Sequence, residues 1–133
     1  MLTGSARAMP IRIEVLPEYV HILWYGKLVD GDLARLGRDI PRIGMQLGRA
    51  PHVLHTFGEI EGTGLKPEAL RAHGRHLGTI VLPNRCRAAS VCAHPLAYGM
   101  ARMMQLLNEN PSLQIEVFSD LEEALRWLKA CPS

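Results

Sequence analysis

Cys92 and His94 are the thiol and imidazole that lie closest together in the sequence, so nucleophilic catalysis is the first chemistry to consider. Cys92 falls in a short uncharged run, Ala88 to Ala93, that is typical of a buried strand. Burial raises the pKa of a thiol and so leaves little of the reactive thiolate. The chain has no Gly-x-Ser-x-Gly elbow. We therefore predict no catalytic residue, and an enzyme that uses Cys92, His94 or Glu61 is kept as an alternative.

Histidines at metal-like spacings are a second candidate: His52 with His55, and His73 with His76. Side chains alternate along a strand, so His52 and His55 would point to opposite faces. His73 and His76 can share a helical face, but no further ligand lies beside them and the chain has no Cys-x-x-Cys pair. We predict no metal site. We predict no cofactor either, since the chain has neither a GxGxxG fingerprint nor a Walker loop.

Glycines and polar residues follow three of the predicted strands, at the edge where ligands of open α/β sheets usually bind. Glycine lets the backbone approach a ligand closely, and the helix starts that follow offer free N–H groups to an anion. This expected binding edge, for a small anion or a loop of a protein partner, consists of Gly26, Lys27, Asp30, Glu61, Gly62, Thr63, Gly64 and His94. Gly62 and Gly64 could instead serve only as turn residues.

Met100, Met103 and Met104 recur at helical spacing and form an adaptable apolar patch. Such a stripe is usually part of the core. Part of it could instead line an apolar pocket or a dimer face.

Hydrophobic periodicity predicts the element order β-β-α-β-α-β-α-β-α. The predicted strands cover residues 11–15, 19–25, 52–57, 88–93 and 113–118. A short link joins the first two strands, which favours an antiparallel hairpin, and strands that alternate with helices imply right-handed parallel crossovers. The expected fold is therefore α/β, a five-stranded mixed sheet packed with four helices. Because the first strand leaves an antiparallel edge open, we expect a homodimer.

Start and stop signals delimit the predicted helices. Asp30 or Asp32 caps the first helix and Gly48 ends it, and Pro41 should kink or split it. Ser119 to Glu122 is a capping box for the last helix. The remaining predictions are a glycine-rich loop at 58–64, a second helix from Pro67 to about Leu77, and a third from Pro95 to about Leu107.

Length and composition exclude several classes of protein. A chain of 133 residues suits one domain, which we place at residues 10–131 after a disordered leader at 1–9. The formal charge of +2 is too small to imply a nucleic-acid partner. No apolar run approaches the ~18 residues that span a bilayer. Three scattered cysteines argue against a disulfide framework, so the expected location is the cytoplasm.

Three segments of the sequence resemble the STAS domain of bacterial anti-sigma-factor antagonists, in its SpoIIAA-like branch. Residues 20–28, which end in Gly-Lys-Leu, resemble the second strand of that family. Residues 60–65, Ile-Glu-Gly-Thr-Gly-Leu, lie where the family has its Asp-Ser-Ser-Gly-Leu switch. Residues 115–128 resemble the closing strand and helix. The resemblance implies a STAS/SpoIIAA-like fold over roughly residues 11 to 129.

The resemblance also bears on regulation, because a kinase phosphorylates the first switch serine of the antagonists. Gly62 stands at that position and has no hydroxyl, while Glu61 matches the aspartate and Thr63 the second serine. A phospho-switch at the usual position is therefore not expected, although Thr63 could accept a phosphate. The branch is similar in shape to CRAL-TRIO lipid-binding domains, which implies a possible apolar ligand.

Three functions follow as hypotheses. The first is a non-enzymatic binding or regulatory module that docks a protein partner at the expected binding edge. The second is a carrier or sensor of an apolar small molecule or lipid. The third is an enzyme that uses Cys92 and His94.

Overall fold

The computed structural model describes residues 11–63 and 66–130, without the side chains of Leu28 and residues 59–63. The predicted leader at residues 1–9, Gly64 and the end of the predicted domain at residue 131 lie outside the described residues.

A five-stranded sheet with the strand order β1-β2-β3-β4-β5 forms the centre of the fold in the part of the chain that the structure describes. The strands are β1 (Ile11–Val15), β2 (Val20–Leu28), β3 (Val53–Thr63), β4 (Cys86–Val91) and β5 (Leu113–Phe118). β1 pairs antiparallel with β2, and every other neighbouring pair is parallel. These pairings confirm the predicted five-stranded mixed sheet with an antiparallel hairpin at its start.

Within residues 11–63 and 66–130, four helices cover the sheet: α1 (Asp30–Leu47), α2 (Pro67–Thr79), α3 (Pro95–Leu107) and α4 (Leu121–Lys129). Apolar residues of α1, α2 and α3 pack on one face, and those of α4 pack on the other. The order of strands and helices is the predicted one. We call the side that carries α1, α2 and α3 the three-helix face.

Alternation along the strands determines which side chains reach each face. On the three-helix face, Ile22 and Trp24 of β2 pack with Leu33 and Leu36 of α1. On the opposite face, the second core consists of Leu54, Ala89, Ala124 and Leu128, with several partly buried aromatic and aliphatic residues around it. Neighbouring residues of one strand therefore face different layers of the fold.

Pro41 is predicted to kink or split the first helix; α1 runs unbroken through Pro41, so the split is wrong. Pro41 cannot donate a hydrogen bond to the carbonyl of Gly37, and its ring would crowd the preceding turn. Gly48 ends the helix as predicted, with a left-handed φ of 75° that suits glycine.

The glycine-rich loop predicted at 58–64 is wrong over residues 58–63, which continue β3. β2 is also longer than predicted, and the extra residues of the two strands pair with each other: Gly26 with Ile60, Lys27 with Gly62, and Leu28 with Thr63. Backbone hydrogen bonds between strands do not depend on the side chain. Glycines that suggest a loop locally are therefore held in the sheet by a distant partner.

Two further predictions are shifted along the chain. β4 covers Cys86–Val91 rather than 88–93, because the whole strand pairs with β5 from Leu113 to Phe118. The cap of α4 is Asp120 rather than Ser119, since Asp120 Oδ2 accepts a hydrogen bond from the Glu123 N–H at 3.2 Å.

Candidate functional site

The predicted binding edge lies where β2 and β3 end. Gly26 has a φ of 75°, and the register of β2 against β3 shifts on either side of it. This bulge precedes the pairing of Lys27 with Gly62 and brings these two residues together. The side chains of Glu61 and Thr63 are not described, so the structure adds their backbone position within β3 and nothing more.

Asp30 and His94 of this predicted edge both organise helix starts. Asp30 Oδ1 accepts a hydrogen bond from the Lys66 N–H at 3.0 Å, which ties the start of α1 to the residue that caps α2. His94 Nδ1 accepts from the Leu96 N–H at 3.1 Å and so caps α3. Each side chain thus has a local structural role.

Cys92 and His94 do not form a nucleophile and its base. Cys92 is 5% exposed and packs with Ala97 and Ala101, and burial raises the pKa of its thiol to about 11. His94 is exposed, and one of its ring nitrogens serves as the cap of α3. A thiol with that pKa is almost wholly protonated at neutral pH, which argues against the enzyme alternative.

A cavity of about 500 Å³ lies between the three-helix face of the sheet and parts of α1, α2 and α3. Its walls are almost entirely apolar. They include Leu33, Leu36, Ile40, Leu70, Leu77, Met100 and Met104 from the helices, and Ile22, Trp24, Val53, Phe57, Ala88 and Ile115 from the strands. Proteins pack their interiors closely, so a space of this size is a feature that needs an occupant or a function.

The cavity opens to solvent at the amino ends of β3, β4 and β5. Met45 and Val81 line it and are nevertheless 85% and 94% exposed, so they mark its mouth. The mouth lies between the end of α1 and the segment after α2. It is at the opposite edge of the sheet from the predicted binding edge, and Gly26, Lys27, Asp30 and His94 do not line the cavity.

The three predicted methionines divide between two surroundings. Met100 and Met104 line the cavity, whereas Met103 lies in a shallow depression between α2 and α3 with Arg71 and Leu106. All three also pack against the core of the three-helix face.

Few polar side chains line the cavity, and only some of them have hydrogen-bond partners within the protein. Asn110 is fully engaged, because its Nδ2 donates to the Leu77 and Ile80 carbonyls at 2.7 and 2.9 Å. Ser90 is 6% exposed and has no hydrogen-bond partner among the described residues. His55 accepts one hydrogen bond at Nδ1, from the Trp24 Nε1–H at 2.9 Å.

Two histidines of the cavity, His55 and His73, are held neutral at ordinary pH. Burial lowers the pKa of His55 to about 4, and the nearby His73 and His21 lower it further in the same direction. Burial also lowers the pKa of His73, with a contribution from His76. The rings therefore offer neutral donors and acceptors to whatever occupies the cavity.

No cluster of three or more metal-ligating side chains occurs among residues 11–63 and 66–130. His52 and His55 are separated, as expected from their spacing: His52 Nδ1 accepts from the Arg87 N–H at 3.0 Å, whereas His55 lines the cavity. Within the same residues, no helix is long and apolar enough to cross a membrane.

Sequence reasoning missed His55, Ser90 and the cavity itself. A weak signal was present, because small side chains alternate inward along β4 at Ala88 and Ser90, where a tightly packed core would carry larger ones. Small inward residues are equally compatible with a helix packed closely on the sheet. Only the distance between the sheet and the helices distinguishes a cavity from close packing, and the local sequence does not determine that distance.

No protein-family model matches the sequence, and no curated protein matches it. Among solved structures, the chain is similar to an uncharacterized protein of the DUF3478 family with a SpoIIAA-like fold from Shewanella loihica PV-4. The two share 21% sequence identity, and the match has a TM-score of 0.50 and covers 89% of this chain and 91% of that one. The mixed sheet, its strand order and this similarity together identify the chain as a protein with a SpoIIAA-like fold.

Proposed function

We propose that the protein is a non-enzymatic module of SpoIIAA-like fold that carries or senses an apolar small molecule. The observation that carries this proposal is the cavity of about 500 Å³ on the three-helix face. Small-molecule sites usually enclose about 300–1,000 Å³ and are lined by apolar and aromatic side chains with a few polar groups. The cavity matches this description in size and in lining, and it has an open mouth.

The cost of leaving the cavity empty supports an occupant. The side chains that line a void lose the dispersion contacts that close packing would give them. Met45 and Val81 at the mouth also expose apolar surface to water. An apolar ligand would restore contacts inside and let the mouth close over it. The enzyme alternative has no comparable support, because the Cys92 thiol has a raised pKa.

Mass spectrometry of the native protein after expression tests the proposal. We expect a population heavier than the chain by the mass of one small apolar molecule, which organic extraction removes. Re-addition of a C12 alcohol or acid should then raise the melting temperature. The control is Ala88→Phe, which places a ring in the cavity from the middle of β4 and should abolish both effects. A mass equal to that of the chain, with no melting shift from any apolar compound, would exclude this function.

Docking of a protein partner at the predicted binding edge stays a second hypothesis. The pairing of Lys27 with Gly62 brings part of that edge together. Replacement of Gly62 by arginine should then prevent capture of the partner, whereas it leaves the distant cavity intact. The expected homodimer through β1 likewise stays a prediction. β1 is an edge strand of the sheet, and sedimentation equilibrium tests whether two copies associate.

A further inference from the structure

His55 and Ser90 are two adjacent polar residues in the side of the cavity that the sheet forms, which is otherwise mostly apolar. They are directly paired in the register of β3 against β4, and both side chains face the cavity. Ser90 is 6% exposed, its hydroxyl has no partner among the described residues, and no side-chain oxygen or nitrogen is both fully enclosed and unpaired there. The small surface that the hydroxyl keeps therefore faces the cavity. A buried hydroxyl without a partner costs stability unless a ligand satisfies it.

The tautomer of His55 is fixed by its neighbour. The indole nitrogen of Trp24 can only donate, so His55 Nδ1 must be the acceptor of their 2.9 Å hydrogen bond. The neutral ring therefore carries its proton on Nε2. Among the described residues this Nε2–H has no acceptor. His55 and Ser90 thus present two donors side by side, about one strand spacing apart.

The charges around this pair favour a ligand that accepts hydrogen bonds. α2 contributes His73 and His76 to the cavity, the segment after α1 contributes Arg49, and β4 contributes the thiol of Cys86. His21 lies on the other face of the sheet, where it bonds to Thr56. The lining from α1 and α3 is uncharged, and no aspartate or glutamate among the described residues lines the cavity. A cationic head would find no negatively charged partner among the described lining residues, whereas a carboxyl group can accept from the His55 Nε2–H and bond to the Ser90 hydroxyl.

We propose that the ligand is a long-chain carboxylic acid whose carboxyl group binds between Ser90 and His55 and whose chain extends toward Met45 and Val81. This inference rests on the proposed function and names the class of ligand. At roughly 30 Å³ for a group the size of a water molecule, the cavity of about 500 Å³ has room for about seventeen such groups. An acid of about 12 to 14 carbons fits that space.

Binding of such an acid takes up one proton. The free acid is a carboxylate at neutral pH, and free His55 is uncharged, so neither brings the extra proton. In the complex this proton stays on the carboxyl group, whose carbonyl oxygen accepts from the His55 Nε2–H, so the pair is neutral in an apolar wall. Solvent supplies the proton, and no covalent bond forms or breaks. The affinity should therefore fall up to tenfold for each unit that the pH rises between about 6 and 8.

Trp24 lines the cavity, so its fluorescence can report binding. The test uses the full chain with Trp127→Phe, because Trp127 lies on the opposite face and would add background. Dodecanoic acid, 1-dodecanol and dodecyltrimethylammonium are titrated below their micelle concentrations at pH 6, 7 and 8. We expect the acid to bind with the stated pH dependence, the alcohol to bind without one, and the cation to bind at least tenfold more weakly than the alcohol.

Two variants locate the carboxyl group. Ser90→Ala should weaken the binding of dodecanoic acid about tenfold, since a hydrogen bond to the carboxyl group is lost. The same change should leave the unfolding midpoint of the ligand-free protein unchanged or higher, because it removes an unpaired hydroxyl. A purely structural role of Ser90 would lower that midpoint. Arg49→Gln, at the mouth, should change acid binding less than twofold.

The outcomes separate this inference from the proposed function. Equal, pH-independent binding of acid and alcohol would overturn the carboxyl site and leave the apolar-ligand function standing. Loss of acid binding in Arg49→Gln but not in Ser90→Ala would also overturn it, because the head would then lie at the mouth. Failure of all three amphiphiles to bind would overturn both.

Discussion

Ala88 and Ala89 are neighbours in β4 that face different environments, so one substitution made at both positions tests whether the cavity is real. Ala88 lines the cavity, whereas Ala89 is 0% exposed and packs against Leu54, Ala124 and Leu128. Leucine adds three carbon atoms. At about 0.8 kcal/mol per buried CH₂, Ala88→Leu should raise the free energy of unfolding by roughly 2 kcal/mol. Ala89→Leu should lower it by about 1–3 kcal/mol through overpacking.

Urea unfolding followed by circular dichroism measures both changes. With an m-value of about 2 kcal/mol/M, the two midpoints should differ by roughly 2 M. The unchanged chain lies between them and is the reference. The side-chain chemistry is the same at both positions, and only the space differs. If both variants were destabilised by similar amounts, the three-helix face would be as tightly packed as the opposite one, and the reasoning from the cavity would be refuted.

Three further predictions concern single sites. Burial lowers the pKa of His55 from 6.5 to about 4. Below pH 6.5 the unfolded chain therefore binds a proton at this residue that the folded chain does not. The free energy of unfolding should then fall by up to about 3 kcal/mol between pH 6.5 and pH 4. His55→Gln should flatten this decline in urea titrations, and an unchanged slope would contradict the assignment. Gly74→Ala should lower the melting temperature, because the added Cβ would lie 2.9 Å from Leu107 Cβ. Gly78→Ala should raise the melting temperature, because its added Cβ makes only ordinary contacts and alanine favours a helix. The opposite order of melting temperatures would show that α2 and α3 are not closely packed. Iodoacetamide should alkylate Cys92 about a hundredfold more slowly in the native protein than in the unfolded chain, since the pKa of the native thiol is about 11 rather than 9.0. Equal alkylation rates would support the enzyme alternative.

The fold could be predicted because its signals are local. Alternation in residues 11–15 identifies β1, and Gly48 and Pro67 mark the end of α1 and the start of α2 where the structure has them. The extension of β3 could not be predicted in this way. Gly58 and Gly62 are typical of a loop, and the strand exists there because β2 pairs with it from more than thirty positions away.

The candidate site was harder to predict for the same reason. Met100 and Met104 have a periodicity that indicates an apolar face, but the face is compatible with either a core or a pocket. His55 and Ser90 are 35 positions apart, and only the register of β3 against β4 makes them neighbours. The sequence rules for open sheets pointed to the carboxyl ends of the strands. The cavity opens at the other edge, because its mouth depends on where α1 and α2 end.

A crystal structure of the complex with 12-bromododecanoic acid tests the central claim most directly, since the anomalous signal of bromine locates the end of the chain. We predict one bromine peak near Met45 and Val81, with continuous density from there to the Ser90 hydroxyl between the sheet and α1, α2 and α3. Bromine bound only on the outer surface, with helices packed down onto Ala88 and no space left between the layers, would contradict the account.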